Sequence, residues 1–148
     1  MSVSYQTREN IAGSGDHIHR TYYASEAIGI GDAVIYDFTK TQEQKCEFVV
    51  KTPLAGKVFV GIAITSASAN GIVQVQQAGY CNVAKIYGNF TAGDTLCVSD
   101  NAVGVLEVIT SNHGRDHSRT AFAMETITGG GNTTNSGVEI YLFPSTIY

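Results

Sequence analysis

The feature that most constrains the fold is a weak internal echo. Gly31-Asp32-Ala33-Val34-Ile35 reappears 62 residues later as Gly93-Asp94-Thr95-Leu96-Cys97, and the same offset carries Val60-Gly61-Ile62-Ala63 onto Phe122-Ala123-Met124-Glu125. After a four-residue insertion, Asn70-Gly71-Ile72-Val73-Gln74-Val75 matches Ser136-Gly137-Val138-Glu139-Ile140-Tyr141. Each half reads as a Gly-Asp turn and strand, a second strand, a strand of small apolar residues, a turn and an alternating strand. Two such units, joined by residues 76–92, form a compact β-barrel or sandwich with pseudo-twofold symmetry.

The local patterns agree with an all-β chain. Short β-rich runs cover residues 21–28, 33–38, 46–51, 58–65, 72–87, 95–99, 103–109, 120–127 and 138–143. Gly-Asp, Asn-Gly, Ser-Asp-Asn and Gly-rich stretches lie between them, residues that accept positive φ or close Asx turns. Val138, Ile140 and Leu142 alternate with Glu139 and Tyr141, as in a strand with one buried face. Residues 58–64 are apolar throughout, which predicts a strand covered on both faces. No long window carries a helical stripe, although residues 5–12 could hold a short helix. Residues 1–20 are polar and aperiodic and read as an extended arm, leaving 21–148 as a single β domain.

Composition narrows the function. Hydrophobic residues make up 43% and charged ones 15%, a balance that excludes general disorder. A net charge of −4 with scattered Lys and Arg argues against nucleic-acid binding, which depends on clustered cations. No signal-peptide pattern or bilayer-length apolar run is present, so the expectation is a soluble, non-secreted protein with no membrane partner. Cys46, Cys81 and Cys97 lack zinc-ligand spacing and read as reduced thiols filling space like small apolar groups. The two Asn-x-Thr sequons, at Asn89 and Asn132, carry no weight without secretion.

With these residues in view, the chain resembles the capsid cement, or head decoration, proteins of tailed double-stranded DNA phages. The matching stretches are residues 31–35, 60–64, 71–79, 93–98 and 122–143, turn glycines and strand patterns spread over residues 28–143. The resemblance implies a small β-barrel-like structural protein of the virion, made late in the host cytoplasm. Its implied partners are the outer surface of the major capsid protein and other copies of itself in a homotrimer. The long loops of the second half, the Tyr content and the polar arm depart from that pattern.

No constellation for catalysis emerges, and the chain is expected to be a non-enzyme without cofactor or metal. His17 and His19 would share one side of an extended segment, but the Glu and later His of a cupin-type site are missing. His113 and His117 are separated by Gly114, which argues against the helix their spacing would need. The Gly129-Gly130-Gly131 run lacks the Lys-Ser/Thr of a phosphate loop, and Gly29-Ile30-Gly31 lacks the third glycine and helix of a dinucleotide fingerprint. Asp100, Glu107, Glu125 and Glu139 fall singly at predicted strand edges or outward faces. Tyrosine adds contact area with a polar tip, and Tyr5, Arg8, Tyr22 and Tyr23 are the candidate capsid or subunit interface. Two alternatives come from other classes: a metal-dependent barrel enzyme using His17 and His19, and a fibre-associated glycan binder using exposed Tyr.

Overall fold

The computed structural model describes residues 17–53, 58–110, 120–129 and 131–143. Nine strands follow in order: β1 (Ile18–Ala24), β2 (Ala33–Tyr36), β3 (Phe48–Lys51), β4 (Phe59–Ala63), β5 (Ile72–Tyr87), β6 (Thr95–Val98), β7 (Leu106–Val108), β8 (Ala121–Ala123) and β9 (Thr134–Leu142). A 3-10 turn, Gln42–Cys46, leads into β3. The all-β expectation holds, and each predicted run overlaps a strand, although β1 and β9 begin earlier than their runs.

The strands pair as two closed rings. β1, β3, β2, β4 and the first half of β5 form one, with β1 returning to β5. The second half of β5 with β7, β6, β8 and β9 forms the other, with β9 returning to β5. Pairing repeats strand for strand: β1 meets β3 in parallel as β5 meets β7, and the remaining pairs of both rings are antiparallel. Closure removes the exposed sheet edges that would otherwise recruit other chains.

Residues 76–92, expected as a joining segment, lie largely inside β5. Val73 and Val75 face the first ring's interior, and Cys81, Ala84 and Ile86 face the second's. Gly79 takes φ +89° at the crossover, and pairing with β9 shifts register between Cys81 and Ala84 and again before Ile86. Such irregularities bend a strand and raise its twist, which lets one strand serve two rings. β1 begins at Ile18, so the last residues of the expected arm are already sheet.

Two clusters of buried side chains result. The first ring holds Tyr22, Val34, Val49, Val60, Ala63, Val73 and Val75. The second holds Leu96, Val98, Leu106, Ala121, Ala123, Val138, Ile140 and Leu142, together with Ala33 and Ile62 from the first ring. Ile62 explains why β4 is apolar throughout: Val60 and Ala63 point into the first ring, while Ile62 points outward into the neighbouring core. Each fully buried branched side chain contributes about 1.5–3 kcal/mol of transfer free energy, so the junction is as much core as the rings are.

The internal echo is real in the fold but partly out of step in sequence. The N–H of Ala63 donates to the Asp32 carbonyl as that of Ala123 does to Asp94. Ala63 therefore corresponds to Ala123, two residues from the match read in sequence. Ala63 pairs with Val75 and Ala123 with Ile140, so Val75 corresponds to Ile140 rather than Tyr141. Only the Gly-Asp strand was in register.

Candidate interaction surfaces

Tyr22 and Tyr23 separate because neighbouring strand residues face opposite ways. Tyr22 is 7% exposed, its hydroxyl accepts from Gln77 Nε2 at 2.9 Å, and its ring meets Tyr36 edge-on at 6.0 Å. Burial, with the neighbouring Tyr36, pushes its hydroxyl well above the usual tyrosine pKa. Tyr22 is thus a packing residue of the first ring.

Tyr23 is 45% exposed and stands against Phe48, ring centroids 5.3 Å apart. Ile72, opposite it on β5, is also largely exposed. Lys40 Nζ lies 4.4 Å from the Phe48 ring centre, a cation over a π face. Thr21, Tyr23, Cys46, Glu47 and Ile72 line a shallow groove of about 240 Å³. The alternation of β1 places Tyr23 there, and the 3-10 turn brings Cys46 and Glu47 beside it. Tyr5, Arg8, His113 and His117 lie outside the described residues.

A second surface was not singled out in sequence. Tyr80, Tyr141 and Phe122 stand abreast on β5, β9 and β8, with Thr95 of β6 next in the row. The Phe122 and Tyr141 rings stack at 5.4 Å, and Phe143 lies 5.8 Å from Phe122. Tyr80 is exposed, with the carboxylates of Glu139 and Glu125 near its hydroxyl. The alternation of Tyr141 with Ile140 and Leu142 was the available signal, since it already set Tyr141 on the outer face.

The buried polar groups are occupied by local structure. Asp32 Oδ2 accepts the Gly29 N–H at 2.7 Å, and Lys85 Nζ reaches Oδ1 at 2.5 Å, tying β5 to the turn before β2. Asp37 accepts from Ser25 Oγ, Thr39 Oγ1 and the Thr39 N–H. Burial alone would raise its pKa, but these hydrogen bonds and nearby Lys40 hold it below the usual carboxylate value. Glu107, expected at an edge or outward face, is 7% exposed and accepts from the Asp100 N–H and Asn101 Nδ2. It closes the turn before β7, a role its neighbours in sequence do not reveal.

His17 and His19 do lie near one another, ring centroids 6.1 Å apart. Among the described residues no group of three or more His, Cys, Asp and Glu could hold a metal ion. The two histidines flank the exposed start of β1, beside Arg20.

Comparison with known proteins gives a likeness of fold. No protein-family profile and no curated protein matches the chain. Among solved structures, the chain is similar to the N base of the head fibre protein gp8.5 of bacteriophage phi29, at 11% identity and a TM-score of 0.52, covering 89% of this chain and 98% of that one.

Proposed function

We propose that this protein is a structural component of a phage head, a cement or decoration protein that binds the outer surface of the major capsid protein lattice and reinforces the shell. The observation that carries the reading is the likeness of nearly the whole double ring to the base of a phage head fibre. The resemblance of the turn and strand motifs to head decoration proteins points the same way.

The Tyr23, Phe48 and Ile72 surface suits such a task. Exposed aromatic side chains bring large rigid area to an interface at small entropic cost, and stable interfaces remove about 1,200–2,000 Å² from water in total. In a homotrimer the second and third contacts form at high effective concentration, so modest single contacts add up to firm attachment. Closed rings give a rigid body that loses little freedom on binding.

The test is co-sedimentation of the purified protein with expanded, empty heads of the source phage, followed by thermal disruption of the heads. Saturable binding and a higher disruption temperature are expected, and Tyr23→Glu should weaken both. Protein that stays in the supernatant at every ratio, with heads no more stable than before, overturns the reading.

A further inference from the structure

The two rings meet through a junction, and each half of that junction has a counterpart in the other ring. In the first ring Ala33, Ile62, Gln76 and His19 stand abreast on β2, β4, β5 and β1. The first three face outward from their own ring yet are buried, because the second ring sits on them. The corresponding row in the second ring is Thr95, Phe122, Tyr141 and Tyr80, paired in the same pattern. Among the described residues nothing covers this row as the second ring covers the first: it is half-buried to exposed, with aromatic residues at three of its four positions.

The other half of the junction is the middle of β5. There the Val83 carbonyl oxygen would lie 2.2 Å from a Cβ on Gly31, so strand and turn are in direct contact, and Lys85 reaches Asp32 beside them. Tyr22 lies opposite Val73 as Ala84 lies opposite Val138, so the counterpart of this stretch in the first ring is the start of β1. Ile18, His19, Arg20 and Thr21 are all exposed. The turn is duplicated as well. Gly93 has φ +95° against +92° at Gly31, and Thr91 N–H donates to Asp94 Oδ2 at 2.8 Å as Gly29 does to Asp32. A Cβ on Gly93, however, meets nothing within 4 Å.

We propose that the Thr95, Phe122, Tyr141 and Tyr80 row of one copy, with its Gly93-Asp94 turn, receives the Ile18 to Thr21 stretch of a second copy, repeating between chains the junction that joins the rings within one. Charge favours the same pairing, since Arg20 lies on the strand and Glu125, Glu139 and Asp94 lie around the row. The contact is head to tail, so it builds a closed cycle where the rotation closes and an open row where it does not. It stands on the repeat alone and does not depend on capsid binding.

The test is sedimentation velocity of the full chain in solution without capsids. The wild type should exceed one chain in mass. Phe122→Arg, which damages the row, and the double substitution Ile18→Glu and Arg20→Glu, which damages the strand, should each reduce it to a single chain with an unchanged circular dichroism spectrum. Tyr80→Arg, at an exposed position, replaces Phe122→Arg if that variant does not fold. Mixing a row variant with the strand variant should restore a complex of one copy of each and nothing larger, because one sound row and one sound strand remain. A single-chain wild type, an oligomer indifferent to both substitutions, or a mixture that does not recombine each overturns the proposal.

Discussion

Lys85 Nζ stands 2.5 Å from Asp32 Oδ1, so a side chain from the second half of the shared strand is bound to the turn that opens the first ring's β2. Asp94 occupies the same turn in the second ring and accepts the Thr91 N–H at an exposed site. The two aspartates therefore differ in what they hold.

Removing one partner of a mostly buried ion pair leaves the other charge without compensation. Lys85 keeps partial access to water, which reduces that penalty, and Asp32→Ala is expected to cost about 2–3 kcal/mol. Asp94→Ala should cost about 0.5–1 kcal/mol, since only an exposed turn hydrogen bond is lost. Urea unfolding of the two variants beside the wild type measures both, and equal losses would remove the junction role of Asp32.

Asp37 gives the fold a dependence on acid. Its carboxyl is held below its usual value of 3.8, so the native state binds that proton less readily than the unfolded chain does. By linkage its stabilisation is complete above the ordinary carboxylate range and is lost as pH falls through the depressed native value. Charge-assisted hydrogen bonds of this kind contribute about 1.5–3 kcal/mol, so Asp37→Asn should lower stability at neutral pH and flatten its fall in acid. Thermal unfolding from neutral to strongly acidic pH checks the sign, and parallel curves for variant and wild type would refute it.

The three cysteines should report the packing of the second ring. Cys81 and Cys97 are buried, and burial with the carboxylates of Glu107 and Asp100 pushes the Cys97 thiol up to about 12. Thiolate is the reactive form, so both should resist a disulfide reagent at neutral pH. Exposed Cys46 should react alone in the native protein, with all three reacting after denaturation. Fast labelling of a second thiol under native conditions would mean that the second ring opens.

Gly31 and Gly93 share a left-handed backbone but not their surroundings. Alanine at Gly93 meets only the conformational penalty of positive φ, about 1 kcal/mol. Alanine at Gly31 adds a collision with the Val83 carbonyl, and its loss should exceed 3 kcal/mol or so, the range of overpacked sites. Comparing the two unfolding midpoints tests the close approach directly.

Much of this architecture is legible in the residues. Alternation and turn glycines mark where strands fall, and the limits of β5 coincide with the run read from sequence. The continuous apolar run of β4 announced burial on both faces, and Ile62 explains it. The register of the echo was harder, because a slip of two residues leaves every side chain on the same face. The Val-Gly-Ile-Ala match therefore looked sound although Ala63 corresponds to Ala123. In the last strand a slip of one residue set exposed Ile72 against buried Val138, since sequence alone does not display the pairing.

The surfaces were legible in part. Residue type alone marks Tyr23 as an interface candidate, and its exposure follows from its place one residue after Tyr22 on β1. The row of Tyr80, Tyr141 and Phe122 draws on three strands far apart in the chain, so only the closed ring assembles it. Glu107 and Asp32 were equally hidden, because their partners arrive through turns and the opposite ring.

A single strand of 16 residues belongs to both rings. Its contour is on the order of 50 Å at about 3.3 Å per residue, and the bend at Gly79 divides that length between the two rings. Tension applied at one ring therefore reaches the other along covalent backbone, with both sets of ladder hydrogen bonds loaded in shear, the arrangement of a tie rod rather than of two beads on a thread.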